Sequence, residues 1–242
     1  MPDSNLLLLP GTLCTGAVFS RQVEALSGQC ANIQIATFSK ERSIETMAET
    51  AASLIPEGSQ VAVAGFSMGG MVALALAERY PEKVERIALL NSNCHPDLPE
   101  RRNRRGSYVE EARQKSLRVI IKDGFLQNYL HRQSPPHREL ILDMAEEHGL
   151  AGFEAQSEAL AGRPDLGPAL SQLTCPVLIL GARQDVLCPP QVQWNMHEEC
   201  AHAHLVMLED CGHFAVLEKP AEVSKALLNW LAETANRPNR TG

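Results

Sequence analysis

Three residues far apart in the chain are of types that together could activate an oxygen nucleophile: Ser67 in "GFSMG", Asp185 in "ARQDVLCPP" and His213 in "DCGHFAVLEKP". A serine hydroxyl attacks poorly at neutral pH unless a base lies within hydrogen-bond reach and a third group orients that base. The pentapeptide G-x-S-x-G is common. It becomes informative where a strand runs into it and a helix runs out, because that turn strains the serine backbone and brings the residues two before and two after almost into contact. Here "VAVAG" precedes the serine, "MGGMVALALAER" follows it, and Gly65 and Gly69 occupy the two crowded positions. The helix start also sets partial positive charge beside Ser67 Oγ. A glycine-rich turn with an incidental serine is the alternative reading.

Asp185 follows the strand-like "PVLILG" and His213 follows "HLVMLE". Both would therefore stand at the C-terminal edge of a parallel sheet, where open α/β folds hold their ligands. Two other acids compete with Asp185. Asp210 is closer to His213 in sequence but precedes it on the same loop, and Asp165 sits in the loop "GRPDLGP". Cys200, His202 and His204 alternate in "CAHAH" and would share one face of an extended segment, as a zinc site could use, but no fourth ligand is evident. The expectation is no metal and no organic cofactor.

These residues need elements to position them. Short apolar runs at 6–9 and 33–38 flank a helical stretch with Val18, Phe19, Val23 and Leu26 at helical spacing. A helix capped by Ser43 and ended by Pro56 follows, with Thr46 where a capping box carries Glu. Strand 61–65, helix 68–79 and strand 86–91 come next. This alternation predicts an α/β fold: a mostly parallel sheet of about six strands flanked by helices. After Ser92 the rhythm breaks, and helices are expected at 110–121 and 138–149 between breakers such as "SPPHR". It resumes at 175–181, continues through a polar helix at 190–200 and the strand 204–209, and closes with a terminal helix.

Taken together, "LLLLPGT", "GFSMGG", "GARQDVLCPP" and "DCGHFAVLEKP" resemble the α/β-hydrolase family over nearly the whole chain, in the order Ser, Asp, His that this fold uses. The resemblance implies Ser67 as nucleophile, His213 as general base and then acid, and Asp185 as the carboxylate that orients His213. It implies a core of residues 1–92 and 173–235, a helical cap of 93–172 inserted into it, and a fold without the usual N-terminal strand pair. The tail 236–242 is expected to be disordered. For the oxyanion hole it implies the backbone N–H of Met68 and a second donor after the first strand. That donor is expected to be Thr12 with Leu13 in reserve, since "PGT" stands where relatives carry "HG". Cys14, Cys188 and Cys211, which neighbour these loops, are read as packing thiols.

Serine rather than aspartate at the elbow argues against dehalogenase and epoxide-hydrolase chemistry. It favours a small carboxylic ester, then a lactone, a thioester or the C–C bond of a vinylogous keto acid. A cofactor-free perhydrolase or haloperoxidase-like enzyme, and a non-catalytic receptor on the same scaffold, are the other readings. Leu13, Leu126, Tyr129, Leu130 and Phe153 are the candidate pocket residues. The run "ERRNRR" at 100–105 reads as a solvated face, with an anion-steering patch as the alternative.

A length of 242 residues that are 44% apolar suits one globular unit with an insertion. The net charge of −7 argues against nucleic acid or an anionic membrane as partner. The apolar start, Leu6–Leu9, is too short for a signal h-region or a membrane span. Seven cysteines without C-x-x-C spacing suit a reducing compartment, so the cytoplasm is the expected location. The partners are then a small molecule and, left open, a second copy of the chain.

Overall fold

The computed structural model describes residues 5–233; the expected disordered tail lies outside them. Strands β1 (Asn5–Leu9), β2 (Asn32–Ile35), β3 (Val61–Phe66), β4 (Val84–Leu90), β5 (Val177–Ala182) and β6 (His204–Leu208) form one sheet in the order β2-β1-β3-β4-β5-β6. All five pairings are parallel. Each strand's side chains alternate between two cores. Leu6, Leu8, Ala62, Ala64, Leu178 and Leu180 enter one, and Leu7, Leu9, Val61, Val63, Val177 and Ile179 enter the other. Burial on both faces explains why the sequence shows apolar runs here rather than a half-polar alternation.

Helices α1 (Ser20–Leu26), α2 (Ile44–Ser53) and α3 (Met68–Arg79) connect the first four strands. Ser43 and Thr46 form a reciprocal capping box at the start of α2, so threonine serves where glutamate was the expected partner. Between β4 and β5 run α4 (Pro99–Lys115), α5 (Leu117–Ile120), α6 (Leu126–Tyr129), α7 (Pro135–Ala161) and α8 (Gly167–Ser171). A π-helical turn, Ile121–Phe125, joins α5 to α6. The first expected helix, 110–121, therefore starts earlier and breaks at Ser116, whose φ is 126°. The second, 138–149, begins at Pro135 and continues past Gly149, whose φ of 66° bends the chain without ending the helical run. Ala112, Ile120, Leu126, Leu142 and Phe153 share a core with β1 and β3, so this segment packs continuously with the sheet. Helices α9 (Pro190–Glu199), α10 (Ala215–Glu218) and α11 (Pro220–Ala232) complete the chain. Among the described residues no helix is long and apolar enough to cross a membrane.

Because every strand points the same way, the loops after Leu9, Phe66, Leu90, Ala182 and Leu208 leave from one edge of the sheet. These loops carry Thr12, Ser67, Asn91, Asp185 and His213.

Candidate active site

Ser67 sits between β3 and α3 with φ 52° and ψ −115°, a conformation that L-residues seldom adopt. The glycines around it make that turn sterically feasible. A Cβ on Gly65 would lie 2.2 Å from Gly69 O, one on Gly69 would lie 2.0 Å from Leu9 O, and one on Gly70 would lie 2.3 Å from Ser92 Oγ. Hydrogen bonds fix the strained residue: Ser67 N–H donates to Leu90 O at 2.9 Å, and Ser92 Oγ donates to Ser67 O at 2.7 Å. Strain of this kind persists only where the surroundings over-determine it.

The three sequence-predicted residues meet at this edge. Ser67 Oγ lies 2.9 Å from His213 Nε2, and His213 Nδ1 lies 2.8 Å from Asp185 Oδ2. With Nδ1 donating to the carboxylate, Nε2 is left as the acceptor for the serine hydroxyl. Asp185 is held from several sides. Its Oδ1 accepts the backbone N–H of Leu187 at 2.8 Å and of Cys188 at 2.9 Å, and its Oδ2 also accepts from Asn91 Nδ2 at 3.0 Å. Burial works against its ionisation, but the adjacent His213, the Cys188 N–H and the Asn91 amide outweigh it and hold the carboxyl below the usual carboxylate range. The rival acids are elsewhere. Asp210 is exposed and lies 3.7 Å from Arg132, and Asp165 Oδ1 accepts the Gly167 N–H at 3.0 Å.

Thr12, Leu13 and Met68 line the same cavity as Ser67 and His213. The Leu13 N–H is already taken, donating to Gln156 Oε1 at 2.7 Å, while the Thr12 N–H makes no hydrogen bond among the described residues. Gln156 also donates through Nε2 to Phe38 O at 2.6 Å, and His148 Nε2 lies 3.1 Å from Cys14 O. Helix α7 thus ties down the loop that carries Thr12.

The cavity has a volume of about 310 Å³, within the range of small-molecule sites. Of the expected pocket residues, Leu13, Tyr129 and Phe153 line it. Leu126 and Leu130 do not: both are buried in the core, where their side chains fill space between the inserted helices and the sheet. The "ERRNRR" run is a solvated face as expected, with Glu100 to Arg104 exposed and Arg105 half-buried. Arg101, Arg104 and Arg105, joined by Arg163, also line the cavity, while Arg102 and Asn103 do not. Helical spacing of three and four residues was the signal available for this split. Asn91, Ser92 and Gln156 had no such signal, since each acts through a partner distant in sequence.

The metal alternative at Cys200, His202 and His204 does not assemble. Cys200 Sγ is 3.6 Å from His202 Nδ1, but His202 Nε2 is 3.2 Å from Cys175 O, and His204 is exposed. Burial pushes the thiols of Cys14 and Cys188 far up and that of Cys211 to about 12, so all three are protonated at neutral pH and poor nucleophiles.

Known proteins resemble this chain over most of its length. It is 30% identical over 211 residues to a pimeloyl-[acyl-carrier protein] methyl ester esterase of Neisseria meningitidis serogroup C, a match covering 82% of this chain and 78% of that protein. It is 25% identical over 199 residues to a 2-hydroxymuconate semialdehyde hydrolase of a Pseudomonas strain, a match covering 73% of this chain but only 64% of that protein. Among solved structures, a thermophilic esterase from Thermogutta terrifontis, with malate bound, superposes with a TM-score of 0.86 at 25% identity, covering 95% of this chain and 89% of that one. The relatives are esterases and other hydrolases. A family model, "Alpha/beta hydrolase family", matches residues 6–226, and on that match the chain belongs to the alpha/beta hydrolase family and is a hydrolase.

Proposed function

We propose that this enzyme is a serine hydrolase that cleaves small carboxylic esters, with lactones and thioesters open to the same chemistry, through an acyl-enzyme. The supporting observation is the unbroken run from Asp185 through His213 to Ser67 Oγ, at 2.8 and 2.9 Å, opening on a cavity. In this reading Ser67 Oγ attacks the carbonyl carbon while His213 Nε2 takes its proton. Asp185 stabilises the resulting imidazolium without being protonated itself. The tetrahedral oxyanion accepts from the N–H groups of Met68 and Thr12; Leu13 is excluded because Gln156 occupies its N–H. Collapse expels the alcohol, protonated by His213, and water activated by the same imidazole releases the acid and regenerates Ser67. Residues 93–172 act as the cap that shapes the pocket. C–C bond hydrolysis is the second reading, supported by the similarity to the Pseudomonas enzyme. The seven cysteines are all free thiols, which supports a cytoplasmic location.

Ser67→Ala is expected to lower turnover of p-nitrophenyl butyrate by at least about 10⁴-fold and to abolish labelling by a fluorophosphonate probe. Undiminished labelling of that variant would overturn the assignment.

A further inference from the structure

The cavity that holds Ser67 is lined by four guanidinium groups and by no carboxylate. That is an unusual balance for a chain whose net charge is −7. Arg101, Arg104, Arg105 and Tyr108 recur at helical spacing on one face of α4, where a packed helix ordinarily presents apolar side chains. Arg102 and Asn103, on the other face, do not line the cavity.

Two of the four arginines are anchored on one buried carboxylate: Arg163 is itself buried and Arg105 is half-buried. The Asp97 side chain is fully buried and receives Arg105 Nε, and Arg163 Nη1 lies 3.1 Å from its other oxygen. Arg163 further donates to His95 O at 2.8 Å. One carboxylate therefore balances two guanidinium groups and leaves a net positive charge beside the cavity. Arg105 makes no hydrogen bond through either terminal nitrogen among the described residues. Arg101 and Arg104 add two more charges, each held by one weakly compensating partner: Arg101 donates to Leu187 O at 3.3 Å, and Arg104 donates to the Tyr108 hydroxyl at 2.6 Å with its guanidinium 5.2 Å from the ring centre. Opposite in character, Phe66, Phe125, Tyr129, Phe153 and Phe214 give the same cavity an apolar wall.

We propose that the substrate carries a free carboxylate remote from the bond that is cleaved, as in the half-ester of a dicarboxylic acid, and that Arg101, Arg104 and Arg105 bind that carboxylate. This rests on the serine-hydrolase reading of the same site. Guanidinium forks match a carboxylate bidentately, such charge-assisted bonds are the strong ones, and a one-sign cavity in an acidic protein draws anions toward itself.

The test compares kcat/KM for monomethyl adipate with that for methyl hexanoate, a neutral methyl ester with the same scissile group. The acid half-ester is expected to be preferred by about tenfold or more, with the preference falling as salt rises. In Arg101→Gln and Arg104→Gln the ratio is expected to fall by about threefold each, and in the double variant to approach one. Arg102→Gln, on the outer face of the same helix, is the charge control and keeps the ratio. Fluorophosphonate labelling of the same preparations separates the two claims. A labelled enzyme that prefers the neutral ester overturns the carboxylate proposal alone. An unlabelled, inactive protein overturns the hydrolase reading, and adipate calorimetry then decides this proposal: binding lost in the double variant sustains it, and no binding overturns it. Inorganic phosphate binding in place of adipate also overturns it.

Discussion

Replacing Gln156 by leucine tests how far the inserted helices control the chemistry of the sheet edge. The side chain is 1% exposed and makes two bonds of opposite sense: it accepts from the Leu13 N–H at 2.7 Å and donates to Phe38 O at 2.6 Å. Leu13 and Phe38 are themselves 5% and 1% exposed, so water does not readily take the place of the lost amide. Each orphaned backbone group costs about 1–3 kcal/mol. Burying leucine in place of an amide returns about 1.5–3 kcal/mol. The net loss is near ~2 kcal/mol, a fall of about 4–8 °C in the unfolding midpoint for a chain of this size. The larger effect is expected in catalysis, because the same bond fixes the loop that carries Thr12, whose N–H is the proposed oxyanion donor. Loss of an oxyanion donor costs about 10² to 10³ in kcat. The contacts from His148 to Cys14 O and from Cys14 N–H to Gly11 O persist, so a fall of about 10- to 100-fold in kcat, exceeding any rise in KM, is expected. Gln156→Glu gives a signature that a merely structural role would not. Its carboxylate still accepts from Leu13 but opposes Phe38 O, so activity relative to wild type is expected to rise between about pH 8 and about pH 5 as the buried acid protonates and can donate again. Ester kinetics and thermal unfolding measure both variants. A Gln156→Leu enzyme with kcat within about twofold of wild type and an unchanged midpoint would refute the reasoning.

Three further perturbations probe the acid, the elbow and helix α4. The Asp185 carboxyl is held below its ordinary range, so its stabilising contribution is present above the unfolded carboxylate pKa and is lost as pH falls through the depressed folded value. Asp185→Asn is therefore expected to narrow the stability gap to wild type below about pH 4 in urea titrations, and to lower kcat by about 10⁴-fold at neutral pH; a gap independent of pH would contradict this. Gly69→Ala forces a methyl group to within 2.0 Å of Leu9 O and 2.8 Å of Pro10 O, both backbone atoms, and is expected to cost about 3 kcal/mol or more. Gly106→Ala, at a site in α4 with no atom within 4 Å of the added carbon, is expected to stabilise by about 0.5–1 kcal/mol, and calorimetry of the pair checks the contrast.

The amino-acid sequence determined the α/β architecture and the identity of the residues at its edge, because both are written in local patterns. Doubly buried strands need continuous apolar runs, and the turn at Ser67 tolerates only glycine where backbone meets backbone, so "VAVAGFSMGG" reads the same in either description. Asp185 and His213 were legible because a parallel sheet sends every strand-end loop to one side. Helix limits in the inserted segment were less legible: Ser116 and Gly149 adopt positive φ values that depend on how α4 and α7 pack, and nothing in their neighbours' types announces this. Only the tertiary structure decided that the Leu13 N–H is occupied and, among the described residues, the Thr12 N–H is not, since Gln156 is 143 residues from Leu13. It also decided that Leu126 and Leu130 belong to the core and that one side of an exposed basic run borders the cavity. A residue's type fixes what it can bond to, whereas the fold decides which groups come within the few ångströms over which hydrogen bonds and ion pairs act.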